Sequence, residues 1–250
     1  MSSEVNKQPT LRTPDHSGFL IILVGVYITV LILTVGVASK FVAIGPFTLN
    51  GATVVFPITF IFNDIFTEVY GYDRSRKIIW TGLFAQAFAA FIYWLVGALP
   101  AAQFWTNQAA YDAILGQSPR IALASLTAYF WGEYANSVVM SKMKFKQHGA
   151  RGLSQSWRFV ASTVVGEAID TGLFFPLAFF GVIPTSELLK TMGIVYVTKV
   201  LYEVIALPLS TRAANWVKGR EHVDEIDDPA TTSYSPLLSG EREPLSLQAP

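Results

Sequence analysis

The chain has no cysteine, which excludes a disulfide framework, a thiolate metal site and a cysteine nucleophile. It is also poor in charge. Only 14% of its 250 residues are Asp, Glu, Lys or Arg, where a soluble domain carries about a quarter. Histidine is scarce, and His16, His148 and His222 all fall in polar tails or loops, where they read as solvated. The formal net charge is zero, which argues against nucleic acid as a partner. No Gly-rich phosphate loop is present, so the chain cannot hydrolyse ATP by itself. Neither a nucleophile elbow nor an HExxH helix occurs. Paired carboxylates could support acid–base work, but no nucleophile or metal-ligand set accompanies them. Neither an enzyme nor a cofactor is expected.

What the chain has is apolar length. It is 52% hydrophobic, and the apolar residues gather in runs close to the roughly 20 residues that a membrane-spanning helix needs. These runs cover residues 19–38, 52–70, 78–99, 121–140, 159–180 and 189–209, the last continuing as helix through Trp216. The first run is followed by others, so it reads as a retained helix rather than a cleaved signal peptide. The fold expected is an all-α integral membrane protein, a bundle of six transmembrane helices over residues 19–217. Residues 1–18 form a polar tail, and residues 218–250 an acidic, then Ser/Thr/Pro-rich, tail expected to lack fixed structure. The long loop 101–119 carries Phe104, Trp105 and Tyr111, which suggests a short helix lying at the outer interface.

Lys and Arg orient the bundle. Tallied alternately as far as Arg220, the segments outside the runs place thirteen cations on the side of both termini and three, Lys40, Arg120 and Lys190, on the other. Both termini are therefore expected in the cytoplasm.

The runs are not uniformly apolar. Run two carries Asn63, Asp64 and Glu68; run four Tyr129, Glu133 and Asn136; run five Glu167 and Asp170, with Arg158 at its cytoplasmic start. Run six carries Tyr196, Lys199 and Glu203. An ionisable group in hydrocarbon costs on the order of 2.5–3.5 kcal/mol on insertion scales and normally faces the bundle interior. The spacings Asp64/Glu68 and Lys199/Glu203 (i,i+4), and Glu133/Asn136 and Glu167/Asp170 (i,i+3), put each pair on one helix face. Thr163 and Gly166 extend the face of run five. Four polar stripes buried against one another would enclose a polar pocket in an apolar shell. Plainer readings exist for two pairs: Glu68 with Arg74 or Arg76 as an interfacial ion pair, and Lys199 with Glu203 as a self-satisfied pair. Glu133, Glu167 and Asp170 are not so easily neutralised, because cations near them are few.

Three segments carry a resemblance. FPITFIFNDIFTEVYGYDRSRK, RFVASTVVGEAIDTGLFFPLAFFG and YVTKVLYEVIALPL resemble the second, fifth and last helices of the queuosine precursor transporter family, which is similar in fold to the substrate-binding subunits of energy-coupling-factor transporters. The likeness extends over most of residues 19–217. It implies uptake of a small nucleobase analogue: 7-cyano-7-deazaguanine, its aminomethyl form or queuine, for tRNA modification. A guanine-like edge offers an N1–H and a 2-amino group that one carboxylate can accept together. Under the resemblance Glu167 or Asp170 takes that role, with Glu133 or Glu203 behind them. Asn63 or Asn136 reads the ring polar atoms, Lys199 serves the 6-carbonyl or balances the acids, and Tyr129, Tyr196 or Phe174 stacks on the ring. A separate energy-coupling module, facilitated diffusion and proton coupling all stay open, as does a homo-oligomer. A binding-only receptor and a membrane scaffold are the readings without transport.

Overall fold

A computed structural model describes residues 17–37, 40–44, 47–116 and 119–238. Most of residues 1–18, and residues 239–250, lie outside them. Seven helices are described: α1 (Ser17–Val37), α2 (Gly51–Tyr70), α3 (Tyr72–Ala98), α4 (Gln108–Leu115), α5 (Pro119–Lys146), α6 (Leu153–Phe179) and α7 (Thr185–Glu221). Each of the six apolar runs falls within a long helix to within one residue at its end, Ala38 lying outside the described residues. Four of these, α1, α3, α6 and α7, are long and apolar enough to cross a membrane. The short α4 sits in the long loop as expected, tied to the end of α3 by Tyr111, whose hydroxyl donates to the Tyr93 carbonyl at 2.9 Å.

One element departs from the all-α expectation. Strands β1 (Phe41–Ile44) and β2 (Phe47–Asn50) form an antiparallel hairpin between α1 and α2, with Phe41 opposite Asn50. Phe, Val and Ile at β1 suit a strand. Four-residue strands give too little alternation to register in the sequence.

Burial is inverted relative to a soluble protein. Phe84, Phe88, Phe91 and Trp94 line one exposed face of α3, and Leu201, Ile205 and Leu209 an exposed face of α7. Arg158, Glu68, Asp64 and Gln155 are almost wholly enclosed. Only an apolar solvent makes that arrangement favourable.

Inside, α2 packs against α1, α3, α5 and α7, and α5 lies closest to α6. Glycine allows that approach. A Cβ on Gly132 would meet the Asp170 Cβ at 2.9 Å, and one on Gly166 the Asn136 Cβ at 2.9 Å. Small residues are how helices reach such separations in a bilayer. An apolar cluster including Tyr27, Phe66, Ile79, Met140 and Phe159 fills the space between α1, α2, α3, α5 and α6.

At the end of the bundle carrying the α2–α3 and α5–α6 turns, charge pairing replaces apolar packing. Glu68 does not pair with Arg74 or Arg76, as its sequence neighbours suggested. It receives Arg158 through two donors, at 2.7 and 2.5 Å, and Lys218 at 2.6 Å. Glu68 and Arg158 are both 0% exposed. Arg74 and Arg76 lie on α3, past the turn at Gly71, whereas α6 and α7 bring their cations directly to the carboxylate.

The segment expected to lack structure has a fixed path over residues 222–238. α7 runs to Glu221, ends at His222 in a left-handed conformation (φ 55°), and the chain then doubles back over the helix ends. The Glu225 amide donates to Val69 O at 3.0 Å. Asp224 accepts from Lys144 at 2.6 Å and pairs with Lys218 at 2.8 Å. Arg76 donates to the Ser233 and Ser235 carbonyls, and Trp80 to Pro236 O at 2.8 Å. Tyr234 packs its ring on Tyr72, with centroids 4.9 Å apart, and under Lys142. Composition misled here because the segment satisfies polar groups rather than burying apolar surface.

Two outcomes follow from the charged end. Removing one partner of a buried ion pair costs about 3–5 kcal/mol, so Arg158→Ala should lower the unfolding free energy in detergent by an amount of that order, read as a lower unfolding midpoint. Burial raises the Asp224 carboxyl, but hydrogen bonds and charge from Lys144 and Lys218 outweigh it and hold it below its usual value. Its contribution is therefore complete above the ordinary aspartate value of about 3.9 and is lost as pH falls through the lower folded value. Hydrogen exchange at residues 222–238 should keep its protection from pH 8 to 5 and lose it below about pH 4.

Candidate functional site

The polar stripes meet midway along the bundle. α5 contributes Glu133 and Asn136, α6 Glu167 and Asp170, α7 Lys199 and Glu203, and α2 Asp64. Each stripe exists because its polar residues recur at three or four positions, one above another on a helix face. The close α5–α6 approach at Gly132 and Gly166 brings two of the stripes together.

Lys199 is the hub. Its ammonium lies 2.9 Å from Glu167 Oε2 and 2.5 Å from Asp170 Oδ2. The self-satisfied Lys199–Glu203 pair is therefore not what forms: α6 supplies the carboxylates instead. Glu203 faces Asp64, their carboxyls within hydrogen-bonding reach of each other. Asp64 also accepts from Asn136 Nδ2 at 2.9 Å. Around Glu133 stand the charges of Glu167, Asp170, Lys199 and Glu203.

Five carboxyls thus surround one ammonium. At separations of a few ångströms in a low-dielectric interior they cannot all be ionised. The group needs protons, or a ligand that donates hydrogen bonds. Several acceptors and hydroxyls are ready for one. Glu133 Oε2, Asn136 Oδ1, Thr163 Oγ1 and Thr171 Oγ1 are buried and have no hydrogen-bond partner among the described residues. A buried polar atom left so costs about 1–3 kcal/mol.

Three expected site residues sit elsewhere. Asn63 turns away to a hydroxyl cluster, accepting from Ser75 at 3.1 Å and Ser137 at 3.3 Å. Tyr129 packs against Gly82 and pairs its hydroxyl with that of Tyr27 at 2.9 Å. Phe174 stacks edge-on against Phe175 and Phe179. Tyr196 is half-buried and donates to Val164 O at 3.3 Å, one turn from Glu167. Thr171 escaped the sequence reading although it stands four residues after Glu167, the same spacing that picked out Thr163. No group of three or more His, Asp or Glu side chains suited to a metal occurs among the described residues.

Comparison with known proteins bears on this interior. A family described as "putative vitamin uptake transporter" matches residues 50–213, a span that takes in every residue of the acidic cluster. A probable queuosine precursor transporter of Bacillus subtilis (strain 168) is 28% identical over 175 residues, covering 70% of this chain and 75% of that protein. Its counterpart in Haemophilus influenzae is 25% identical over 154 residues, 61% of this chain and 60% of that protein. No solved structure matches the chain. With the match running through the four helices that carry the buried polar stripes, and with helices built to cross a bilayer, the chain is a multi-pass membrane protein and belongs to the putative vitamin uptake transporter family.

Proposed function

We propose that this chain imports a 7-deazaguanine precursor of queuosine across the cytoplasmic membrane, through six spans with both termini in the cytoplasm. The excess of lysine and arginine on the side of the charged helix ends supports that orientation. One observation carries the substrate reading: the enclosed acid cluster holds unpartnered acceptors beside a single ammonium. A guanine-like edge supplies two adjacent N–H donors to a carboxylate and accepts at its 6-carbonyl, which fits such a lining. Lys199 already occupies Glu167 and Asp170, so Glu133, with its free Oε2, is the better partner for the N1–H and 2-amino pair. Asn136, Thr163 and Thr171 then meet the remaining ring atoms. The curated relatives named as queuosine precursor transporters point to the same substrate class.

Hydrogen bonds to a charged group are worth about 1.5–3 kcal/mol, equivalent to roughly ten- to a hundredfold in affinity. Glu133→Gln should therefore reduce uptake of labelled 7-deazaguanine by at least about tenfold, in cells unable to make the precursor and at unchanged protein level. Glu167→Gln and Asp170→Asn should each weaken uptake as well, by loosening Lys199. Wild-type rates in Glu133→Gln and Glu167→Gln alike would remove the substrate reading.

Proton coupling is favoured over simple facilitation by the Asp64–Glu203 contact. Two carboxyls within hydrogen-bonding reach hold a proton between them, and a carrier can release that proton when substrate rearranges its lining. Collapsing an inward proton gradient across proteoliposomes should slow initial uptake several-fold. An unchanged rate identifies facilitated diffusion, and ligand binding without flux identifies a subunit that needs a separate energy-coupling module.

A further inference from the structure

The family match ends at residue 213, and the tail that straps the charged helix ends lies beyond it. Its position relative to the acid cluster is not arbitrary. On α5 the buried polar face continues past the cluster: Glu133, Asn136 and Ser137, then Ser141, then Lys144. Ser137 belongs to a knot of hydroxyls with Ser75 of α3 and Thr67 of α2, joined at 2.9–3.0 Å and closed by Asn63. All four are nearly fully buried. One turn further, Ser141 donates to Asp227 at 2.7 Å. A line of polar side chains therefore leads from Asp64 and Asn136 to the strap and ends beneath it.

Asp227 is placed to act as a latch. The α2–α3 turn is a single residue, Gly71, at φ 80°, and it offers α3 no side-chain cap. Asp227 supplies one from the tail, accepting from the Tyr72 amide at 2.9 Å while also holding Ser141. A carboxylate at a helix N-terminus gains from the free N–H groups and the helix dipole. A Cβ on Gly71 would meet Asp227 Oδ1 at 3.0 Å, so the glycine leaves room for the latch. Tyr234 adds a second hold. Its hydroxyl meets Ser141 at 2.8 Å and its carbonyl accepts from Tyr134 at 2.7 Å.

We propose that residues 222–238 are an intramolecular gate over the inner end of the polar path, latched by Asp227 and Tyr234 on α3 and α5, and that the latch opens for substrate to leave towards the cytoplasm. Asp224, gripped by Lys144 and Lys218, is the fixed hinge point, because its loss would leave buried cations without their partner. The latch bonds are lighter: one carboxylate and one phenol on a hydroxyl and a single amide, with no buried charge left behind when they part. The direction of exit rests on the importer reading; the gate itself does not.

The absence of native cysteine makes the test clean. Ser137→Cys places a thiol below the strap, and Ser162→Cys a control thiol in α6 that makes no contact with the strap. Inside-out vesicles are treated with a membrane-impermeant maleimide. Combining Ser137→Cys with Asp227→Ala and Tyr234→Ala should speed its labelling at least about tenfold, as expected for the loss of bonds worth at least ~1.4 kcal/mol, with the control unlabelled. Asp227→Asn, which keeps an acceptor for Tyr72 and Ser141, should stay close to the protected rate. Equal labelling with and without the latch overturns the gate, and so does labelling of Ser162→Cys to the same extent, which would signal general unfolding. Flux of labelled 7-deazaguanine is measured in parallel. A gate that opens in vesicles while the wild type neither binds nor carries the base leaves the gate standing and removes the importer reading.

Discussion

Charge inside a bilayer must be paired, and in this protein one ammonium governs how. Lys199 on α7 reaches Glu167 and Asp170 on α6, which fixes those two helices face to face. The pairing then sets the chemistry around it. Glu133, Asp64 and Glu203 share the interior with no second cation among the described residues, so their charge must be answered by protons or by donors from a ligand. A better-balanced core would be quieter and would have nothing to recognise.

The charged end of the bundle obeys the same rule with the sign reversed. There Arg158, Lys144 and Lys218 outnumber Glu68 and Asp224, and backbone carbonyls at helix ends take up the remaining donors, as with Lys144 on Glu68 O and Arg158 on Ala150 O. Almost every donor has a partner, so this cluster fixes geometry rather than binding a solute. Two polar clusters on the same helices thus differ in a measurable way: one is saturated, the other is short of donors.

The helices and their polar stripes were legible from spacing alone, because a 3.6-residue period is written into each run. Pairing across helices was not. Glu68 read as a partner of Arg74 or Arg76 and Lys199 of Glu203, since sequence offers only local neighbours, and in each case the true partner comes from another helix. Asn63 and Tyr129 share a face with site residues yet turn to Ser75 and Tyr27, which helical periodicity is too coarse to resolve. The hairpin after α1 was too short to signal. The tail was misjudged for a different reason: its order comes from Asp224, Asp227 and carbonyls meeting cations and hydroxyls, an arrangement that low hydrophobicity hides.

α7 is a single helix of 37 residues, about 55 Å long at 1.5 Å per residue, against a hydrocarbon layer of about 30 Å. It carries Lys199 near its middle and the root of the strap at its end. The acid cluster and the root of the strap are therefore parts of one continuous rod, with no loop between Lys199 and His222 to take up a difference in their positions. Pro208, which cannot donate a backbone hydrogen bond, is the weakest turn of that rod between the two.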